Sequence, residues 1–393
     1  MKIILANLFF TLFLTLNAQN VIHIDLTQAK FGETPANKIF EEIRYIPLET
    51  HKGGLLKVNS ASYYLTDKYI IAMNRFKGAY LFDRETGKFI REISSFGQGP
   101  NEYSGILYNE YGFDEKNNIL FATDAGSWKC INIETNKVES TIKRPKSDNN
   151  IDNFRSEAPW LINNDKYVSF SNNKTGKDKI RLIIFNKEGT VLKKYPNYLE
   201  YDKDPANGSW PGYPGIFYNY KGKVYFKEWF YNDTVFSVDE NGMIPNIIFK
   251  LGNKQPSYYH QMNADYNKGK YRISFVHESD SFILFNFSQY TETVKVGYET
   301  AGKNASDYTG YYDKKSKQVY ISSTPDLKQS GYIAPGISMN FIPMVINKNN
   351  EMVATIDPAE LIKSKEKIEP EYKHLFKDMQ EDDNPILIIA KLK

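Results

Sequence analysis

Leu81-Phe82-Asp83-Arg84-Glu85-Thr86-Gly87-Lys88-Phe89-Ile90-Arg91-Glu92-Ile93 reads as a β-hairpin. An apolar strand runs into a polar turn closed by glycine, and the returning strand mixes Phe89, Ile90 and Ile93 with charged residues. Related turns recur as Asn132–Asn136, Asn186–Gly189, Val238–Gly242 and Asp313–Lys317. From Gly87 to Asn136, Gly189 and Gly242 the steps are 49, 53 and 53 residues. The next step, 74 to Ser316, predicts an insertion around Gln289–Asn304. Gly or Asn at the closing position fits a backbone that needs positive φ.

Two strand-like runs precede each turn, such as Tyr69–Ala72 with Ala79–Phe82 and Ile119–Thr123 with Lys129–Ile133. Tyr167–Ser171 pairs likewise with Ile180–Phe185, and Lys223–Glu228 with Thr234–Val238. A further strand precedes each pair, as at Gly112–Asp114 and Ile216–Tyr220. Four strands per unit of about 50 residues is the period of a β-propeller blade. A sandwich, which has no four-strand period, ranks second. Near the ends stand two isolated strands, Ile43–Leu48 and Ile386–Ala390. An open ring would leave their edges unpaired, so they are expected to share the last blade. Five turn-bearing units plus this mixed blade predict an all-β, six-bladed propeller of four-stranded antiparallel blades. One C-terminal helical insertion is expected: Asp357-Pro358 is a helix start, and a charged helix runs from Ala359 to about Met379.

The chain has 393 residues with 50 basic and 47 acidic side chains, a net charge of +3. That balance gives no concentrated basic face for nucleic acid. Met1-Lys2 followed by the apolar Ile3–Leu16 and a cut after Ala18 is expected to be a secretory signal peptide, too short to span a bilayer. The expected organisation is residues 1–18 as signal peptide, 19–39 as N-terminal extension and 40–393 as one propeller domain. No Cys follows the apolar stretch, so the protein is not expected to be a lipoprotein, nor its mature chain to insert in a membrane. Cys130 is the only cysteine, which excludes an internal disulfide. The address expected is periplasmic or extracellular.

Four pieces carry a resemblance to a known family: Ile46-Pro47-Leu48-Glu49-Thr50; Gly87-Lys88-Phe89 leading to Gly97-Gln98-Gly99-Pro100-Asn101-Glu102-Tyr103; Tyr231-Asn232-Asp233-Thr234-Val235; and Asp383-Asn384-Pro385-Ile386-Leu387. In their order and spacing, over roughly residues 40 to 393, the chain resembles the secreted six-bladed β-propeller proteins of Bacteroidota, related in shape to TolB-like and NHL propellers. Many members of that family carry a Cys after the signal peptide, and this chain departs from them there. The resemblance implies a fold and an envelope or extracellular address. It implies no reaction and no catalytic residues.

Gly97–Tyr103 does not recur. It joins the outermost strand of one blade to the innermost of the next, a crossing expected on the face where a propeller's channel opens. Gln98 and Asn101 are its amides. Glu102 is placed to accept hydrogen bonds from a sugar or an amine, and Tyr103 to stack on a ring. The alternative is that Glu102 caps backbone amides while Tyr103 packs beneath. Trp210 and Tyr213, set among Pro and Gly, form a second candidate on the same face, suited to a glycan or peptide. The five histidines show no metal-binding spacing, and no nucleophile, phosphate or dinucleotide motif is present. No cofactor is expected, although calcium held by backbone and carboxylate oxygens stays open. The leading expectation is an exported, non-enzymatic propeller that binds a glycan, peptide or envelope protein. Its rivals are an ion-dependent lyase or hydrolase working in the channel and a structural adaptor of an envelope complex.

Overall fold

The computed structural model describes residues 21–56, 61–74, 78–106, 112–147, 154, 156, 158–163, 165–202, 215–229, 231–296, 299–323 and 330–393. The expected signal peptide lies outside them. Blade 1 is Ala61–Leu65, Tyr69–Asn74, Gly78–Asp83 and Phe89–Glu92. Blade 2 opens on a split inner strand, Gly105–Ile106 and Phe113–Asp114, and continues through Ile119–Asp124, Ser127–Asn132 and Lys137–Lys143. Blade 3 is Trp160–Asn163, Lys166–Phe170, Ile180–Asn186 and Val191–Pro196. Blade 4 is Gly215–Tyr220, Lys223–Glu228, Thr234–Val238 and Met243–Lys250. Blade 5 is Arg272–Glu278, Phe282–Val296, Glu299–Asp313 and Gln318–Ser322.

Blade 6 is small: Tyr332–Ala334 and Met339–Phe341, with Thr34–Pro35 added in parallel. Blade 7 closes the ring with Val345–Ile346, Glu351–Ile356, Ile386–Leu392 and Phe40–Pro47. The propeller therefore has seven blades, not the six expected. Counting long polar turns misses blade 6, because its two main strands are joined by the tight Pro335–Ser338 turn, with Gly336 at φ +76 and Ser338 at φ +49. Blades 4 and 5 also depart from four antiparallel strands. Ile22–Asp25 adds a fifth, parallel strand to the outside of blade 4, and Lys30–Gly32 does the same to blade 5. Residues 22–47 thus run as a strap along the outer edges of blades 4 to 7. Among the described residues blades 1 to 3 have no such added strand, and the outer strands of blades 2 and 3 carry Lys137, Lys143, Lys193 and Lys194, charges that blunt a bare edge.

The middle strands read as unbroken apolar runs, such as Tyr-Ile-Ile-Ala-Met-Asn at 69–74, because each blade is covered on both faces by its neighbours. The core is accordingly a set of clusters between blades. Ile71, Met73 and Leu81 of blade 1 meet Leu120 and Ile131 of blade 2. Ile46 and Leu387 of blade 7 meet Tyr63 and Phe82 of blade 1. Polar pins join other neighbouring blades. Arg181 pairs with Glu228 at 3.0 Å, and the fully buried Lys227 donates to Glu228 O and to Ile273 O of blade 5.

Four of the five recurrent turns share one device at their head. The Asp83 carboxylate accepts from Glu85 N, Thr86 N and the Thr86 hydroxyl, which holds its carboxyl below the usual range. Asn132, Asp239 and Asp313 accept from two backbone amides each in the same way. Closing residues Gly87, Asn136 and Gly189 have positive φ, as expected, but Gly242 does not, and in the last turn Lys317 rather than Ser316 takes it. Asp83→Ala is expected to cost about 1 kcal/mol, read as a lower urea midpoint; an unchanged midpoint would show that the turn holds without its head.

The expected C-terminal helix is shorter than its charge pattern suggests. Asp357 caps it by accepting Ala359 N at 2.8 Å, but regular helix ends at Lys363 and gives way to 3₁₀ turns at Lys365–Lys367 and Lys373–Phe376. Pro370 cannot continue a helix, and packing draws Ile368 and Phe376 down into the cluster under blade 7. The insertion expected around Gln289–Asn304 is an extension of the hairpin in blade 5, whose two strands are 15 residues each and pair out to Val296 and Glu299. No helix among the described residues is long and apolar enough to cross a membrane.

Candidate functional site

In blades 2 to 5 the innermost strand runs from the connection with the preceding blade to a tight turn. Register fixes the two ends in blade 2: Gly105 lies opposite Thr123, and Asp114 opposite Ile119. Gly97–Tyr103 therefore sits at the connection end. Several of its polar groups are engaged by the protein itself. Glu102 Oε2 accepts Gly99 N at 2.8 Å, and the Lys129 ammonium donates to the carbonyls of Gly99 and Glu102. Asn101 Oδ1 accepts Val138 N at 3.3 Å. Tyr103 is fully buried, edge-on to Phe96 at 4.9 Å, while Gln98 is exposed. Trp210 and Tyr213 lie outside the described residues.

The tight-turn end holds a chamber of about 320 Å³ on the channel axis. Its apolar wall is Trp160, Phe217, Phe275 and Val276, from blades 3, 4 and 5. Trp160 stacks on Phe217 (5.8 Å between centroids, 18° between planes), and its indole N–H donates to Asn219 Oδ1 at 3.4 Å. That contact crosses between blades and holds the indole flat along the wall. Around the rim stand Asn163, Asn219 and Asn347.

Among the titratable groups that line the chamber are His277 and Glu115. His277 is buried beside Tyr218, with ring centroids 5.7 Å apart, and its Nε2 has no hydrogen-bond partner among the described residues. Burial pushes its imidazole down to about 3, with the Asn350 side chain opposing. The ring is therefore neutral at physiological pH. Glu115 is half-buried, and burial pushes its carboxyl up to about 7, against the pull of Lys348 and with the push of Asp114 and Glu351. Its Oε2 accepts Lys348 N at 2.7 Å, and Lys348 Nζ donates to Glu115 O at 3.1 Å. This reciprocal pair links the inner turn of blade 2 to that of blade 7, past blade 1. Among the described residues no three His, Cys, Asp or Glu side chains gather as a metal-binding group.

None of the expected site residues within the described set lines this chamber. The sequence does carry a signal for it. The inner strands end on polar residues, Asp114, Asn163, Asn219, His277 and Asn347, each just after an apolar run. Aligning the repeats on these positions, rather than on the outer turns, marks the rim.

A family described as "Domain of unknown function (DUF4934)" matches residues 20–391. No curated protein matches the sequence. In fold the chain is similar to a protein from Bacteroides fragilis predicted to be exported, at 16% identity and a TM-score of 0.65, over 95% of this chain and 99% of that one. It is also similar to a member of the DUF4221 family from Bacteroides vulgatus, at 11% identity and a TM-score of 0.55, over 90% and 97%. At such identities the likeness extends to the propeller fold alone.

Proposed function

The chain belongs to the DUF4934 family, and from that premise we propose that it is an exported propeller that binds a peptide or envelope-protein segment without chemically changing it. The ligand inserts an apolar side chain into the chamber, against Trp160, Phe217 and Phe275, and its backbone amides meet Asn163 and Asn219 at the rim. The observation that carries this reading is the chamber itself. Its volume, mainly apolar wall and few convergent polar groups match the general form of a ligand site. Export is supported by the leader-like residues 1–18 and by the predicted export of the B. fragilis relative.

Tryptophan fluorescence with N-acetyl-phenylalaninamide and N-acetyl-leucinamide tests it. At least one amide is expected to bind, and Trp160→Ala to weaken that binding by about tenfold, the loss of one aromatic wall. No binding by the wild type, or equal binding by the variant, would sink the proposal.

One observation favours a second reading. A carboxyl poised near 7 in a cleft is suited to general acid–base work, which makes Glu115 a candidate in a hydrolase or lyase. That reading predicts turnover of an envelope polymer that Glu115→Gln abolishes while leaving the fold intact.

A further inference from the structure

A second, smaller depression opens at the connection end, away from the chamber. It lies among the loop after Phe170 in blade 3, the loop after Glu228 in blade 4, and the segment joining blades 4 and 5. Asn172 and Gln261 line it. They are 6% and 9% exposed, and neither side chain has a hydrogen-bond partner among the described residues. Both amides border the depression and are available to bond a polar group that enters it. Glu228, also in the lining, is neutralised by Arg181 at 3.0 Å. The space is about 20 Å³, room for one water-sized group.

Tyr258 and Gln261 flank the depression, and the two residues between them point to a platform beside it. Tyr259 and Tyr266 are 54% and 55% exposed and enclose His260. Tyr266 lies flat on His260 at 3.9 Å and 10°, and Tyr259 stands edge-on at 4.9 Å. The platform is rigid. Asn267, fully buried, donates to His260 O and Asn263 O, and Asp202 N donates to Tyr259 O.

We propose that this turn is a binding subsite for a neutral sugar residue. The ring lies on the tyrosine platform, which offers flat apolar area to its C–H face. One hydroxyl or hydroxymethyl group enters the depression and bonds Asn172 and Gln261. An amide presents both donor and acceptor, as a hydroxyl requires. A purely apolar ligand would leave both amides unpaired, and an acidic sugar would bring a carboxylate to a site where Arg181 is already paired with Glu228. The subsite is independent of the chamber, so one protein holds a sugar at one end of its axis and a peptide at the other.

Saturation-transfer NMR and calorimetry with the methyl glycosides of glucose, galactose, mannose and N-acetylglucosamine, with galacturonic acid as the charged control, test the proposal. At least one neutral glycoside is expected to bind in the millimolar range. Gln261→Ala and Tyr266→Ala are each expected to weaken it by about tenfold, and Trp160→Ala to leave it unchanged. Tyr266 is largely exposed, so its replacement does not threaten the fold. Failure of every neutral glycoside to bind, preference for galacturonic acid, or binding that survives both substitutions would overturn the proposal.

Discussion

Asn384→Ala is expected to lower the folding stability by about 3–5 kcal/mol, the loss of three hydrogen bonds at once. The side chain is 1% exposed and fully used. Its Oδ1 accepts Leu56 N at 2.7 Å, and its Nδ2 donates to Glu49 O and Gly54 O, both at 2.9 Å. Alanine would strand the Leu56 amide and the Gly54 carbonyl in buried surroundings and the Glu49 carbonyl in a part-buried one, and the unmet partners make up most of the cost. The position also joins the first and last strands of the ring. Asn384 N donates to Thr50 Oγ1, whose hydroxyl donates to Asp383 Oδ1, and Leu48 N donates to Pro385 O. Asn384→Asp keeps the acceptor for Leu56 N and loses both donors, so it should fall at least as far as the lost pair. Urea unfolding of the three proteins measures this. A loss under about 1 kcal/mol for Asn384→Ala would mean that the seam is held elsewhere.

The second large effect is expected in acid. His277 takes up a proton near 6.5 when unfolded and only near 3 when folded. Between those values the unfolded chain binds more protons, so stability falls as pH drops from about 6.5 to 3, by up to about 5 kcal/mol. Glu115 acts in the opposite sense. Its folded value, about 7, lies above the ordinary 4.5, so its contribution rises as pH falls through that window and is lost on the alkaline side. From 6.5 to 4.5 the two partly cancel. Of the two, only the histidine still changes below 4.5, and the loss becomes steep. His277→Phe should flatten the acid limb, and Glu115→Gln should move its onset up towards 6.5. Urea midpoints taken at successive pH values decide it, and an acid limb unaltered in His277→Phe would remove His277 as the cause.

Three of the family-like pieces meet where the ring closes. Gly87 shows why. Its φ is +69, and a Cβ there would lie 2.1 Å from Pro47 O. Glu49 N donates to Gly87 O, and Glu49 Oε2 accepts Phe89 N. Ile46–Thr50, Gly87–Phe89 and Asp383–Leu387 therefore meet along one seam. Strand runs and turns were legible because period-two and buried patterns, with Asp or Asn heading each turn, are local. Blade 6 was not, because its strands are short and one of its three comes from residues 34–35, some 300 positions away. The chamber was hidden for the same reason: Trp160, His277 and Glu115 sit on different blades, and nothing near any of them in sequence names the others. Gly97–Tyr103 drew attention by failing to repeat, yet Lys129 and its own backbone use several of its polar groups.

The strap along blades 4 to 7 makes the circumference of this disc inequivalent. Among the described residues, one arc is sealed by the chain's own backbone, while the outer strands of blades 2 and 3 are open and carry lysine. Lateral association, whether into a dimer or into a fibril, finds open edges on these two blades. Its barrier there is charge, which salt screens and which acetylation of the lysines would remove.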